Sequence, residues 1–122
     1  MKFSQWIFRA AGIYGLIVLA PQFFLENKVG EQAPPAITHP EYFYGFVGVG
    51  VAWQIAFLVM STDPKRYRPM IIPSVLEKLS FAIAAIVLFG QQRLQGAILA
   101  FGCIDFAWAV LFIIAWRRLA SE

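Results

Sequence analysis

The chain has 122 residues, of which 60% are hydrophobic and only 14% are charged. An average soluble domain carries about 25% charged residues, and a chain this short cannot bury so much apolar surface in its own core. The composition therefore excludes a soluble globular domain and a disordered chain. With one cysteine, Cys103, and one histidine, His39, it also excludes a disulfide scaffold and bis-histidine haem ligation within one chain.

Four stretches are long and apolar enough to cross a membrane as helices, which takes about 20 residues. They are residues 6–25, 42–60, 70–89 and 96–116. Because they leave no room for a soluble domain, the sequence predicts one integral membrane domain over residues 1–122. The predicted fold class is an all-α membrane protein, an up-down bundle of four transmembrane helices.

The first span begins with basic residues and an apolar run, as a secretory signal peptide does. The residues that follow the run are Pro21, Gln22, Phe23 and Phe24, which do not form a small-x-small cleavage pattern. We therefore expect this segment to be retained as the first helix of the bundle.

The three connections differ in character. Residues 26–40 contain three prolines and are expected to be extended, with Thr38 and Glu41 forming a capping box that opens the second helix. Residues 63–69 are expected to form a short turn. The last connection, residues 90–95, is so short that the third and fourth helices must be antiparallel neighbours.

The basic residues set the predicted orientation, because Lys and Arg beside the spans accumulate on the cytoplasmic side. Seven of them fall on one side and two on the other, which predicts an N-in/C-in topology in a bacterial inner membrane. The same asymmetry accounts for the net charge of +3, so we expect no nucleic-acid partner. The seven are Lys2, Arg9, Lys65, Arg66, Arg68, Arg117 and Arg118, and the two are Lys28 and Arg93.

Small residues in each span predict where helices approach closely, since lipid competes equally well for large apolar side chains. Cys103 is interpreted as one of these packing residues and not as a reactive thiol. The candidate stripes are Ala11, Gly12 and Gly15; Gly45, Gly48 and Gly50; Ala82, Ala84 and Ala85; and Gly96, Ala100, Cys103 and Ala107.

Polar residues within the spans are predicted to lie at one depth, about 9–16 Å from the cytoplasmic boundary at 1.5 Å per residue. Folding the third helix back on the fourth brings Lys78 within reach of Asp105, so we expect an ion pair between them. Glu77 lies about 100° around the helix from Lys78. It is expected to turn elsewhere, towards Gln54, Tyr14 or the two arginines Arg66 and Arg68.

This polar layer has three interpretations. It fixes helix order and register, or it lines a pocket for a lipid headgroup, a quinone-like ring or another amphipathic ligand, or it carries protons or ions through Glu77 and Asp105. A pocket would open towards the inner leaflet, where Arg66 and Arg68 would hold an anionic headgroup. The candidate ligand-binding residues are Tyr14, Trp53, Gln54, Glu77, Lys78, Phe81, Asp105 and Trp108.

No residues in the sequence form a catalytic or metal-binding pattern. His39 with Glu41 supplies too few ligands for a stable metal site, and no phosphate-binding glycine loop is present. We therefore predict no catalytic residues, no metal and no cofactor.

Two stretches resemble small four-helix bacterial inner-membrane proteins known only as hypothetical. They are residues 8–15, FRAAGIYG, and residues 63–70, DPKRYRPM, which run on to Leu76-Glu77-Lys78. In architecture the chain is similar to the DoxX-like group. That resemblance implies an overall four-helix shape and no catalytic residue.

Together these features predict a non-enzymatic role, as an accessory or assembly subunit of a membrane complex or as a binder of an amphipathic ligand. The alternative is a small transporter or proton-coupled carrier that uses Glu77, Lys78 and Asp105. A third possibility is an oxidoreductase subunit that lends a quinone site. The expected partners are the lipid membrane and either other membrane subunits or further copies of the chain.

Overall fold

The computed structural model describes all of residues 1–122 and contains helices and no strands. Four of its helices are long and apolar enough to cross a membrane, so the chain is a multi-pass membrane protein, as predicted. The helices are α1 (Lys2–Leu19), α2 (Glu26–Gln32), α3 (Pro40–Thr62), α4 (Ile71–Gly90) and α5 (Gly96–Ala120), with 3₁₀ turns at Ala20–Phe24 and Arg68–Met70.

The apolar runs in the sequence located each long helix correctly but underestimated its length. Together with their 3₁₀ turns, the four spans are Lys2–Phe24, Pro40–Thr62, Arg68–Gly90 and Gly96–Ala120. The largest extensions are equal in length and lie at the start of α1 and at the end of α5, where Arg117 and Arg118 occupy the last turn. Cationic side chains stabilise a helix C-terminus through its dipole, so this helix continues past its apolar part.

The connection between α1 and α3 was predicted to be extended, which is wrong for its first half. Glu26–Gln32 forms the short helix α2, with the Glu26 carboxylate in its first turn. A carboxylate at that position is favourable because the helix N-terminus is positive. The prolines that suggested an extended chain begin only at Pro34, after α2 has ended.

The predicted capping box at the start of α3 is also wrong. The N-cap residue is His39, and no side chain there caps the helix. Pro40 occupies the first helical position, where its fixed φ angle favours the helix and its missing N–H is not needed. Thr38 therefore lies one residue too early, and Glu41 instead contacts His39 Nδ1 at 3.2 Å.

The long helices pack as two pairs, α1 with α3 and α4 with α5. Contact between α1 and α5 joins the pairs, whereas α3 and α4 approach each other less closely. The Met1 amine and the Lys65 ammonium both bind Glu122, so the two termini and the α3–α4 turn lie at one end of the bundle. We refer to this as the terminal end, and to the end that carries α2 as the distal end.

Within each pair, glycine allows close approach. In the α1–α3 pair, Gly12 and Gly15 are buried, which confirms the predicted stripe on α1. A methyl group on Gly12 would lie only 2.8 Å from the Gln54 carbonyl oxygen. In the α4–α5 pair, a methyl group on Gly102 would lie 2.6 Å from Cβ of Ala85.

The stripe predicted for α5 is wrong, since all four of its residues, including Cys103, are exposed. The buried face is rotated about 100° from it and carries Gly102, Ala109 and Phe112. A small residue is as favourable in contact with lipid as in contact with another helix. A stripe of small residues alone therefore does not identify the packed face. For the same reason Gly45 and Ala84, on α3 and α4, are exposed.

A core common to all four helices exists only near the terminal end. There the Phe8 ring lies 4.6 Å from the Phe112 ring, and the Phe57 ring lies 5.1 Å from the same ring, between centroids. Ile71 of α4 belongs to the same cluster of buried residues. The two helix pairs are thus held together by a largely aromatic core in their terminal halves.

Towards the distal end the buried contacts lie within the pairs. Gly50 faces Leu19 inside the α1–α3 pair, as Gly102 faces Ala85 inside the other. Phe101, on the same face of α5 as Phe112, is 44% exposed. The core that all four helices share therefore does not extend to Phe101, although the Phe46 and Phe81 rings of α3 and α4 still contact each other at 6.3 Å between centroids.

Candidate functional site

Lys78 is the most deeply buried charged residue of the bundle. Its side chain is 3% exposed, and its Nζ lies 3.8 Å from Oδ1 of Asp105 across the α4–α5 interface. The ion pair predicted from the sequence is therefore confirmed. The short turn between α4 and α5 brings the two residues together, because it fixes which residues of the two helices lie at the same depth.

Glu77 was expected to turn away from Lys78, and this is wrong. Its Oε2 also lies 3.8 Å from Lys78 Nζ. Charged groups inside a membrane span pair with whatever partner is available, and the long Lys78 and Glu77 side chains bridge the angle between their Cα positions. One ammonium thus faces two carboxylates, one from its own helix and one from α5.

These charges are poorly hydrogen-bonded. A distance of 3.8 Å exceeds the 2.7–3.2 Å of an N–H···O hydrogen bond, and an ammonium has three hydrogens to donate. Glu77 Oε2 and the indole Nε1 of Trp108 are both buried without a partner. The Phe57 ring, 5.1 Å from Lys78 Nζ, offers only a cation–π contact.

Aromatic rings from α1 and α5 surround this charged group on one side. The Tyr14 and Trp108 rings are 6.1 Å apart, and Trp108 lies 6.4 Å from Phe112 between centroids. Phe112 belongs to the aromatic core near the terminal end. Trp108 therefore lies where that core gives way to the polar layer.

On α3, Trp53 packs 6.2 Å from Phe57 between ring centroids. Two contacts fix the register of α3 against α4: the Phe46 and Phe81 rings at 6.3 Å, and the Ser74 hydroxyl with the Met60 sulfur at 3.6 Å. Trp53 is midway between Phe46 and Met60 along α3, so it lies level with Glu77.

Gln54 does not belong to this layer, although the sequence grouped it there. Its side chain is buried in the α1–α3 interface, where Nε2 donates to the Gly50 carbonyl at 2.9 Å. The carboxamide occupies the space that a side chain at Gly15 would need. The sequence shows that α1 contains Gly15 and α3 contains Gln54, but it does not show that the two positions face each other.

Arg66 and Arg68 lie at the terminal end, away from the layer. Arg68 Nε donates to the Trp116 carbonyl at 2.9 Å, with its guanidinium 4.1 Å from the Trp116 ring. Arg66 lies 5.6 Å from the Tyr67 ring. The opening of a pocket towards these two arginines stays a prediction.

Two clefts of the molecule lie at the distal end, which the sequence did not single out. The larger, about 360 Å³, adjoins the start of α2 and Tyr44, whose hydroxyl donates to Glu26 at 3.0 Å. The smaller, about 250 Å³, lies between α2 and Ile37. Because the sequence predicted an extended chain here, it gave no reason to expect a cleft.

Comparison with known proteins adds no relative. No family model matches the chain, and no curated protein or solved structure matches it. The resemblance to the DoxX-like group stays a prediction.

Chemically, the layer can bind a polar group. It offers an ammonium, two carboxylates, a tyrosine hydroxyl and an indole N–H, all close together in a mostly apolar surrounding. Such a set can hold the polar end of an amphipathic molecule by hydrogen bonds and charge. The candidate site is therefore the layer formed by Tyr14, Glu77, Lys78, Asp105 and Trp108, which we call the polar layer.

Proposed function

We propose that this protein is a non-enzymatic membrane protein that binds an amphipathic ligand. The polar end of the ligand lies at the polar layer, and its apolar part lies against exposed apolar side chains on the distal side of the layer, such as Phe101. The observation that carries the proposal is that two buried atoms of the layer, Glu77 Oε2 and Trp108 Nε1, have no hydrogen-bond partner, while Lys78 Nζ stays 3.8 Å from both carboxylates.

A purely structural role would favour a different arrangement. Buried polar networks stabilise and specify a fold when every member is hydrogen-bonded, and a partly satisfied network is unfavourable. Here the charges are 3.8 Å apart, and the nearby indole has no acceptor. A ligand with both donor and acceptor atoms would satisfy the groups that the helices leave unsatisfied.

The orientation that goes with this proposal places the terminal end in the cytoplasm of a bacterial inner membrane. The support is the uneven distribution of the basic residues beside the spans, of which seven lie at the terminal end and two at the distal end. In a Cys103→Ser background, a cysteine introduced at Lys65 is expected to resist a membrane-impermeant maleimide added from the periplasm. A cysteine introduced at Lys28 should react, and the reverse pattern would refute the orientation.

Native mass spectrometry of the protein in nanodiscs tests the binding. Wild-type protein released from the nanodisc is expected to carry one bound ligand molecule per chain, which is seen as an extra mass. Trp108→Phe removes the indole N–H that would contact the ligand, so we expect this variant to retain several-fold less of that mass. Trp6→Phe is the matched control, because Trp6 is 65% exposed and outside the layer.

Equal retention by Trp108→Phe and Trp6→Phe would contradict binding at the polar layer. A wild type that releases without any bound mass, after extraction in several mild detergents, would contradict the proposed function itself. Service as an accessory subunit of a larger complex stays a prediction, which identification of co-purifying proteins tests.

A proton-coupled carrier is the second candidate, favoured by one observation. The polar layer has two carboxylates and one ammonium, so one carboxylate is free to gain and lose a proton as a substrate moves. Purified protein in liposomes should then acidify or alkalinise the lumen when substrate is added on one side. Glu77→Gln should abolish this proton movement, whereas Glu41→Gln should not.

A further inference from the structure

The charged side chains of the polar layer differ in their exposure. The Lys78 ammonium is 3% exposed, whereas the Glu77 and Asp105 side chains are each 19% exposed. A ligand that enters the layer therefore meets carboxylate before it meets ammonium.

The layer also carries more negative than positive charge. Two carboxylates face one ammonium, and no other basic side chain is near enough to balance the second. The closest candidate within a span, Arg9, is exposed and lies over the Trp6 ring at 5.6 Å. Arg68 is engaged by Trp116 at the terminal end. An excess charge in the middle of a membrane span is costly, so a positive group at this place would be stabilised.

Aromatic rings complete the environment. The Phe57 ring lies 5.1 Å from Lys78 Nζ, and the Trp108 ring, one helical turn after Asp105, packs against Tyr14. Trp53 packs against Phe57 at the depth of Glu77. The faces of Trp and Tyr rings attract cations, most strongly where water is excluded. This combination of reachable carboxylates and aromatic faces suits a positive group on an apolar body.

We propose that the ligand of the polar layer is a lipophilic cation, with its positive group against Glu77 and Asp105. The proposal rests on the proposed function, since it assumes that the layer binds an amphipathic ligand. It adds the sign of the ligand's charge. Anionic headgroups, which Arg66 and Arg68 suggested from the sequence, are excluded from the layer by the same two carboxylates.

The test uses three probes of similar shape and different charge. They are tetraphenylphosphonium, which is cationic, tetraphenylborate, which is anionic, and triphenylphosphine oxide, which is neutral. Wild-type protein, stripped of its co-purified ligand and placed in nanodiscs, should bind radiolabelled tetraphenylphosphonium saturably, at one site per chain above the background of empty nanodiscs. Neither of the other two probes should displace it at tenfold higher concentration.

Glu77→Gln removes the excess negative charge and should weaken cation binding at least tenfold. Glu41→Gln is the matched control, because it removes an exposed carboxylate at the distal end, and it should bind as the wild type does. If Glu77→Gln fails to fold, Asp105→Asn serves in its place with the same expected loss.

The outcomes separate the two proposals. Equal or better binding of the neutral or the anionic probe at this site would overturn the charge assignment and leave the proposed function standing. Absence of saturable cation binding, or binding unchanged in both Glu77→Gln and Asp105→Asn, would also overturn the charge assignment. The mass spectrometry of the retained native ligand decides the proposed function independently.

Discussion

Replacing Lys78 by alanine is expected to destabilise the protein by about 3–5 kcal/mol, the cost of leaving a buried charge without its partner. The loss strands two carboxylates, since both Glu77 and Asp105 lie 3.8 Å from the ammonium. Thermal unfolding in detergent measures the effect. Lys28→Ala is the matched control, because Lys28 is exposed and makes no ion pair.

Removing one carboxylate should do much less harm than removing the lysine. Asp105→Leu leaves the Glu77–Lys78 pair, and Glu77→Leu leaves the Lys78–Asp105 pair, so each variant keeps one balanced pair in the layer. We therefore expect Lys78→Ala to be the most damaging of the three single changes. If Lys78→Ala proves no more damaging than Lys28→Ala, Lys78 does not balance these charges.

The second large effect is expected at Gly102. Its added methyl group would lie 2.6 Å from Cβ of Ala85, and neither atom can move without separating α4 from α5. Overpacking of this kind costs typically 1–3 kcal/mol, so Gly102→Ala should lower the unfolding temperature. Combining it with Ala85→Gly restores the space, and the double variant should be more stable than Gly102→Ala alone.

Gly96→Ala, on the same helix, provides the control. Nothing lies within 4 Å of a methyl group at that position, and alanine favours a helix over glycine by up to about 1 kcal/mol. This variant is expected to be as stable as the wild type or slightly more so. Equal destabilisation by Gly96→Ala and Gly102→Ala would show that close packing of α4 on α5 is not the cause.

Much of the fold follows from the sequence because its determinants are local. A span of about 20 apolar residues is readable from composition alone, and all four spans were located. The Lys78–Asp105 pair was also predictable, since a very short turn leaves little freedom in how α4 and α5 align. In each of these cases a short stretch of chain decides the outcome.

The errors arose where the outcome depends on helix rotation or side-chain length. Glu77 was placed by the direction of its Cα–Cβ bond, although its flexible side chain reaches back to Lys78. Small residues do not show which face of α5 packs against α4, because they are equally favourable against lipid. How far the common core of the four helices extends depends on interhelical angles, which the sequence pattern does not reveal.

The most direct test of the central claim, that ligand binds at the polar layer, is the ¹⁵N resonance of the Lys78 side chain. The chain has four lysines, Lys2, Lys28, Lys65 and Lys78, and replacing the other three by arginine one at a time assigns their signals in ¹⁵N-lysine-labelled protein in nanodiscs. The account predicts that the Lys78 signal shifts when the co-purified ligand is stripped, while the Lys28 signal does not. An unchanged Lys78 signal after verified loss of the bound mass would contradict it.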